Sequence, residues 1–180
     1  MEFVVNEWLP EYFKPDASLA EKQLLKKFLY RFLERGTDRI FVKRGSEFER
    51  KIYRYAKDYQ RDLKTVSPIR SFIGVFIEDI NRRERVDDVP ISLHEEVSKK
   101  LNQPNTNYIS DTYLFEAATF TKNKIIVTTD EKLAHQMQDI EEFKVILLTD
   151  FLKNYRSHVK RFSLKRHDKR CNQPKLTFFM

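Results

Sequence analysis

Tyr108-Ile-Ser-Asp111-Thr-Tyr-Leu114-Phe115-Glu-Ala117-Ala118-Thr-Phe-Thr-Lys-Asn-Lys-Ile125-Ile126-Val127-Thr-Thr-Asp130-Glu-Lys-Leu133 is the stretch that decides the fold. Leu114, Ala117, Ala118 and Thr121 recur at helical spacing, which predicts a helix with one inward stripe. Asp111 stands one turn before Leu114 and Phe115, so it shares their face. Ile125-Ile126-Val127 is a short β-branched run, the pattern of a strand buried on both sides. In a βαβ unit the helix runs against the strands it joins. Helix starts and strand ends therefore share one edge of the sheet. Asp111 and Asp130 meet at that carboxyl edge, where open α/β sheets hold their ligands.

Working outward, the same patterns recur. Phe3-Val4-Val5, Arg39-Ile40-Phe41-Val42 and Lys144 to Thr149 are further strand candidates. Trp8, Leu9, Tyr12 and Phe13 follow the first in a loop punctuated by Pro10 and Pro15. Ser18 with Glu21 forms a capping-box pattern, and the helix it opens is predicted to run to about Arg35, stopped by Gly36. Helices are also predicted over about 47–63, 69–83, 92–101, 131–138 and 151–161, with Arg82 to Arg85 as a polar connection and 102–107 as a loop. Strands alternating with helices predict a three-layer α/β/α fold around a mainly parallel sheet of four to five strands.

The 180 residues suffice for one domain of ordinary size. No apolar run approaches the roughly 18 residues that cross a bilayer, and no secretory leader pattern is visible. The single Cys171 excludes an intramolecular disulfide. These features predict a cytoplasmic protein without a membrane partner. The net charge of +7 is concentrated in residues 151–180, which hold nine Lys/Arg against Asp168 alone. Residues 1–150 carry 25 basic and 26 acidic side chains. The chain thus divides into an α/β domain, 1–150, and a basic C-terminal helix and tail, 151–180. Such an asymmetry points to nucleic acid, with a merely solvated tail as the plain alternative. Lys153, Arg156, Lys160, Arg161, Lys165 and Arg166 are the candidate RNA contacts.

The edge argument extends to Asn6 and Glu7, after the first strand, and to Glu47 and Glu49, at the helix start after the second. Asn6, one of the two glutamates, Asp111 and Asp130 are expected to converge. Oxygen ligands of this kind suit Mg²⁺ or Mn²⁺, which activate water for phosphodiester cleavage. Asp111 and Asp130 also read as helix caps, a role compatible with metal binding. Glu7 could stand in for Asn6, but it points to the other side if the strand continues past Asn6. Glu49-Arg-Lys51 matches a short Glu-x-Lys pattern of restriction-type nucleases. His94, His135, His158 and His167 show no ligand spacing, and three glycines make a nucleotide-binding fingerprint improbable.

Three pieces resemble the PIN-domain ribonucleases: Phe3-Val-Val-Asn6, Ile40-Phe-Val with Glu47 or Glu49, and Ser110-Asp111 to Asp130. The resemblance covers about 1–60 and 108–150. It implies a Mg²⁺- or Mn²⁺-dependent endoribonuclease with Glu47, Asp111 and Asp130 as ligands and catalytic residues, and Asn6 where the family has its first acid. The family often carries another acid where this chain has Lys132. An inactive RNA-binding module and a toxin neutralised by an acidic antitoxin are the alternatives the family offers. RNA, such an antitoxin or other protein, and a second copy of the chain are the expected partners.

Overall fold

A computed structural model describes residues 1–59, 67–87, 91–103 and 108–156. Five strands form one all-parallel sheet: β1 (Glu2–Val5), β2 (Arg39–Lys43), β3 (Arg83–Val86), β4 (Ile125–Thr128) and β5 (Lys144–Leu147), in the order β3-β2-β1-β4-β5. β1 is central. It pairs with β2 through Phe3 and Ile40, and with β4 through Val4–Ile126 and Val5–Val127. The chain travels outward from β1 in one direction to β3, then returns to its other side with β4. That reversal opens a crevice at the carboxyl ends of β1 and β4, the place where doubly wound sheets bind ligands.

Strand alternation sorts the core into two layers. Phe3, Val5, Ile40, Val42 and Val127 face one side. There they meet α2 (Leu19–Glu34), α3 (Glu47–Tyr59), α4 (Ser67–Glu78) and α8 (Leu148–Asn154). Val4, Phe41 and Ile126 face the other side, against α5 (Glu95–Leu101), α6 (Thr112–Ala118) and α7 (Glu131–Gln136). The first layer is densely aromatic. The Phe3 ring lies 5.3–6.3 Å from the centroids of Phe28, Phe32, Phe151 and Tyr155, each such pair adding about 0.5–1.5 kcal/mol beyond burial. Phe151, Leu152 and Tyr155 thus belong to the core, although the charge pattern assigns them to the appendage. Among the described residues no helix is long and apolar enough to cross a membrane.

Several predicted boundaries are corrected. Arg83–Val86 is the fifth strand, not a polar connection, and α4 accordingly stops at Glu78. As an edge strand β3 buries only Val86 and carries Glu84 and Arg85 exposed, so it lacks the apolar pattern of an inner strand and is protected by charge. Trp8–Glu11 is a helical turn, α1, not a loop; Pro10 is tolerated there because first-turn amides need no intrahelical acceptor. α5 starts at Glu95, three residues later than predicted, with His94 as its cap: His94 Nδ1 accepts from Glu96 N at 3.4 Å. α7 ends at Gln136. α8 starts at Leu148, three residues early, and ends at Asn154. The predicted continuations over 60–63 and 157–161 lie outside the described residues, as do Lys160, Arg161, Lys165 and Arg166. The Ser18–Glu21 capping box is present with both bonds, and Gly36 takes φ +37 after α2.

One buried polar knot closes the layer. Asp38 is fully buried and accepts from the Met1 amino group (2.6 Å), the Tyr155 hydroxyl (2.7 Å) and the Arg35 guanidinium. Arg82, also buried, donates to the carbonyls of Asp38 (2.8 Å) and Phe32, and its guanidinium lies 4.2 Å over the Phe32 ring.

Candidate active site

Four segments reach the crevice. The chain leaves β1 at Asn6, and Glu7 already has helical backbone angles. The strand therefore does not continue, the condition for Glu7 to face away is not met, and its charge acts on both Asp111 and Tyr113. Asn6 is engaged through both ends of its amide. Its Nδ2 donates to Thr128 Oγ1 (2.8 Å), and its Oδ1 accepts from Trp8 N (3.2 Å). Thr128, fully buried, in turn accepts from Asp130 N at 3.0 Å. This bracket ties the end of β1 to the end of β4 and sets Asp130 at the start of α7.

The two aspartates behave differently. Asp130 caps α7, its Oδ1 accepting from Leu133 N at 2.9 Å. Asp111 occupies the cap position of α6 but makes no capping bond. It is half-buried, and among the described residues its carboxylate has neither a hydrogen bond nor an ion pair. Burial, then the carboxylates of Asp130 and Glu7, push its carboxyl up to about 6. The same charges surround two phenols. Burial, followed by Asp130 and Asp111, raises Tyr108. Tyr113 is pushed far above its ordinary value by burial, then by Glu7, Asp111 and Glu47. Among the described residues its buried hydroxyl has no hydrogen-bond partner.

Glu47 and Glu49 differ in their surroundings. Two residues apart on a helix, they point to different sides. Glu49 is buried, accepting from Gly45 N (2.8 Å) and Arg85 Nε (2.6 Å), so it clamps the β2–α3 turn to the edge strand. Gly45 holds φ +74 in that turn, a backbone conformation that suits glycine. Glu47 is only partly exposed, 3.0 Å from Arg50, with its charge felt at Tyr113. Glu49→Ala is expected to cost about 2 kcal/mol, as loss of charged hydrogen bonds does. Glu47→Ala should change stability by less than about 0.5 kcal/mol. Urea denaturation of the two variants checks this; equal losses would contradict the division of roles.

Lys51 completes the arrangement. Its ammonium binds Glu7 and lies 2.9 Å from Glu11 Oε1. Burial works against its charge, but the hydrogen bonds to Glu7 and Glu11 outweigh it and raise the ammonium above its usual range. The Glu49-x-Lys51 spacing therefore does not form one site: Glu49 serves the turn and Lys51 the crevice.

The crevice thus brings together Asp111, Asp130 and Glu7, with Asn6 behind them and Glu47 at the rim. Among the described residues no three acidic, histidine or cysteine side chains stand close enough to hold a metal ion between them. The expected third ligand Glu47 is turned to Arg50. What remains is a pair of aspartates, one of them uncompensated. Mg²⁺ and Mn²⁺ sites of this donor type keep several waters and take one or two carboxylates plus a substrate phosphate. Of the candidate RNA contacts, Lys153 is exposed beside Asp150 (2.7 Å), and Arg156 is exposed. Comparison of the chain with protein-family models, curated proteins and solved structures finds no match.

Proposed function

We propose that this chain is a divalent-cation-dependent endoribonuclease of PIN type, acting in the reducing cytoplasm. The reading rests on Asp111, a half-buried carboxylate with neither cap nor counter-ion among the described residues, set against Asp130 and Glu7 at the switch point of a parallel sheet. A structural carboxylate is normally hydrogen-bonded or paired, and clustered like charges with a raised pKa mark functional sites. Asp111 and Asp130 would hold a Mg²⁺ or Mn²⁺ ion, with Glu7 on its outer side. When bound, the cation supplies an activated water and neutralises charge on the phosphodiester.

The chain's own residues do the rest. Three carboxylates repel a polyanion, and a bound cation would relieve that repulsion at the scissile phosphate. Lys51 fixes Glu7 and Glu11 at the wall of the crevice. Lys153, Arg156 and the basic residues that follow supply the screening-sensitive attraction that holds the strand.

The engaged Asn6 amide favours a second reading, a PIN-like module that binds RNA without cutting it. Asn6→Asp separates the two. The Thr128 hydroxyl hydrogen can turn to the new carboxylate, which adds a third acid to the pair. Mn²⁺ is expected to raise the melting temperature of the wild type, to support RNA cleavage, and to bind Asn6→Asp about tenfold or more tightly. If Mn²⁺ changes neither melting nor cleavage in either protein while RNA binding stays salt-sensitive, the chain is a binding module and the nuclease reading is wrong.

A further inference from the structure

Beside the carboxylate crevice lies a pocket of about 380 Å³, between the β2–α3 turn and the start of α6. Lys43, Arg44, Ile109, Thr112, Tyr113 and Glu116 are among its walls. Tyr113 belongs to both places: it lines the pocket, and its hydroxyl feels the Glu7, Asp111 and Glu47 charges. A strand lying across the crevice would therefore pass directly over this pocket.

We propose that the pocket is a guanine subsite, an assignment that rests on the ribonuclease reading and extends it. At its floor, Lys43 Nζ donates to Glu116 Oε2 at 2.5 Å, and the two side chains are only 11% and 12% exposed. The pair fixes both charges in a part-buried setting, where neither is free to swing away. Glu116 Oε1 has no protein partner among the described residues. The floor thus presents, in a row, an acceptor, a second acceptor and a donor. Single-stranded RNA is read by such contacts to the Watson–Crick edges of splayed bases. Guanine alone among the four presents the complement in that order: the 2-amino N–H, the N1–H and the O6 acceptor. Adenine and cytosine each pair one amino donor with a ring-nitrogen acceptor, and uracil flanks its single N–H with two carbonyls, so each would set an acceptor against the carboxylate.

The walls suit a base as well. The Tyr113 ring offers a flat apolar side, and Ile109 stands 61% exposed at the rim, a large aliphatic side chain with little else to cover it. Arg44 is exposed at the mouth, 3.4 Å from Asp87, within reach of a sugar-phosphate chain. The volume lies in the range of small-molecule sites.

A guanine base can arrive in an RNA strand or as a free nucleotide, and the test separates them. Binding of 5′-GMP and 5′-AMP to the full chain is measured by calorimetry. Binding of the pentanucleotides UUGUU and UUAUU is measured by fluorescence anisotropy, all in EDTA so that no cleavage occurs. Guanine is expected to be preferred about tenfold or more in both formats, the scale of one good bidentate base contact. Glu116→Gln should reduce the preference below about twofold, since an amide can no longer accept on both atoms. Ile109→Trp, which obstructs the mouth and leaves the Lys43–Glu116 pair in place, should weaken GMP binding in parallel. Preference for GMP without preference for UUGUU would support the base contacts and assign them to a free nucleotide. Equal binding of guanine and adenine by the wild type, or a preference that survives Glu116→Gln in a folded protein, would overturn the proposal. Because no turnover enters these measurements, failure of the guanine preference leaves the nuclease reading standing, and failure of cleavage leaves the guanine subsite standing.

Discussion

Asp111→Asn is expected to lose about 100-fold or more of the proposed cation-dependent RNA cleavage and, in the same preparation, to melt higher than the wild type at pH 7. The first effect follows from removing one of two carboxylates that would hold the cation, whose charge is worth several kcal/mol in the transition state. The second follows from linkage. The Asp111 carboxyl is raised to about 6 in the folded protein, against about 3.9 in an unfolded chain. Between these values the native state binds the extra proton, so stability falls as pH rises through the window. Above pH 6 the folded protein carries a charge it would rather not hold. The full shift corresponds to roughly 3 kcal/mol, and partial exposure reduces this to about 1–2 kcal/mol. The amide removes that cost, raising the melting temperature by about 4 °C at pH 7. The gain should vanish below about pH 4, where both states are protonated. Thermal melts in EDTA from pH 3 to 8, beside a cleavage assay with Mn²⁺, test both halves. A variant that melts lower at pH 7 would show that Asp111 is a structural acid. Gain of stability with loss of activity is the pattern of a site selected for chemistry.

Asp38→Asn is expected to cost about 3 kcal/mol, the scale of removing one partner from a buried ion pair. Burial alone would push the Asp38 carboxyl up. The bonds from Arg35, the Met1 amino group and Tyr155 outweigh that and hold it below its usual range. Its contribution is therefore present above the unfolded value and lost as pH falls through the folded one. At pH 7 the variant should melt about 10 °C lower, and the gap should narrow below about pH 4. A melting temperature within about 2 °C of the wild type at pH 7 would mean that the knot contributes no net stability. The distance of this knot from the crevice gives a control: cation binding per folded molecule should be unchanged.

Much of the architecture could be read in advance because parallel connections constrain it so strongly. Once Ile125-Ile126-Val127 is a buried strand and Leu114 to Thr121 the helix before it, Asp111 and Asp130 must share an edge, and the structure places them there with Asn6. The misses have physical causes. β3 escapes periodicity because an edge strand buries little, so Arg83-Glu-Arg85 reads as a connection. Glu7 faces away by strand alternation only if the strand continues, yet the chain has already turned into α1. The available signal was Pro10 close behind two apolar residues, a pattern that suits the first turn of a helix. Lys51 could be noticed as a spacing but not as a partner of Glu7, since that contact joins α1 to α3. Glu47 and Glu49 could not be separated without knowing that Arg85 lies on a strand next to β2. The pair of Lys43 and Glu116, 73 residues apart, carries no local signature at all.

The central position of β1 has a consequence for synthesis. Its β4 neighbour lies about 120 residues downstream, as the 122-residue separation of Asn6 and Thr128 shows. Ribosomes add about 5–20 residues per second, so the first strand waits some 6–25 s for its second partner. Asp111 and Asp130 emerge late in that interval. A nascent chain can collapse around Phe3, Phe28 and Phe32, yet it holds no carboxylate cluster until β4 has been made and slotted beside β1. For a ribonuclease, that order of assembly would keep the chain harmless to the message still being translated.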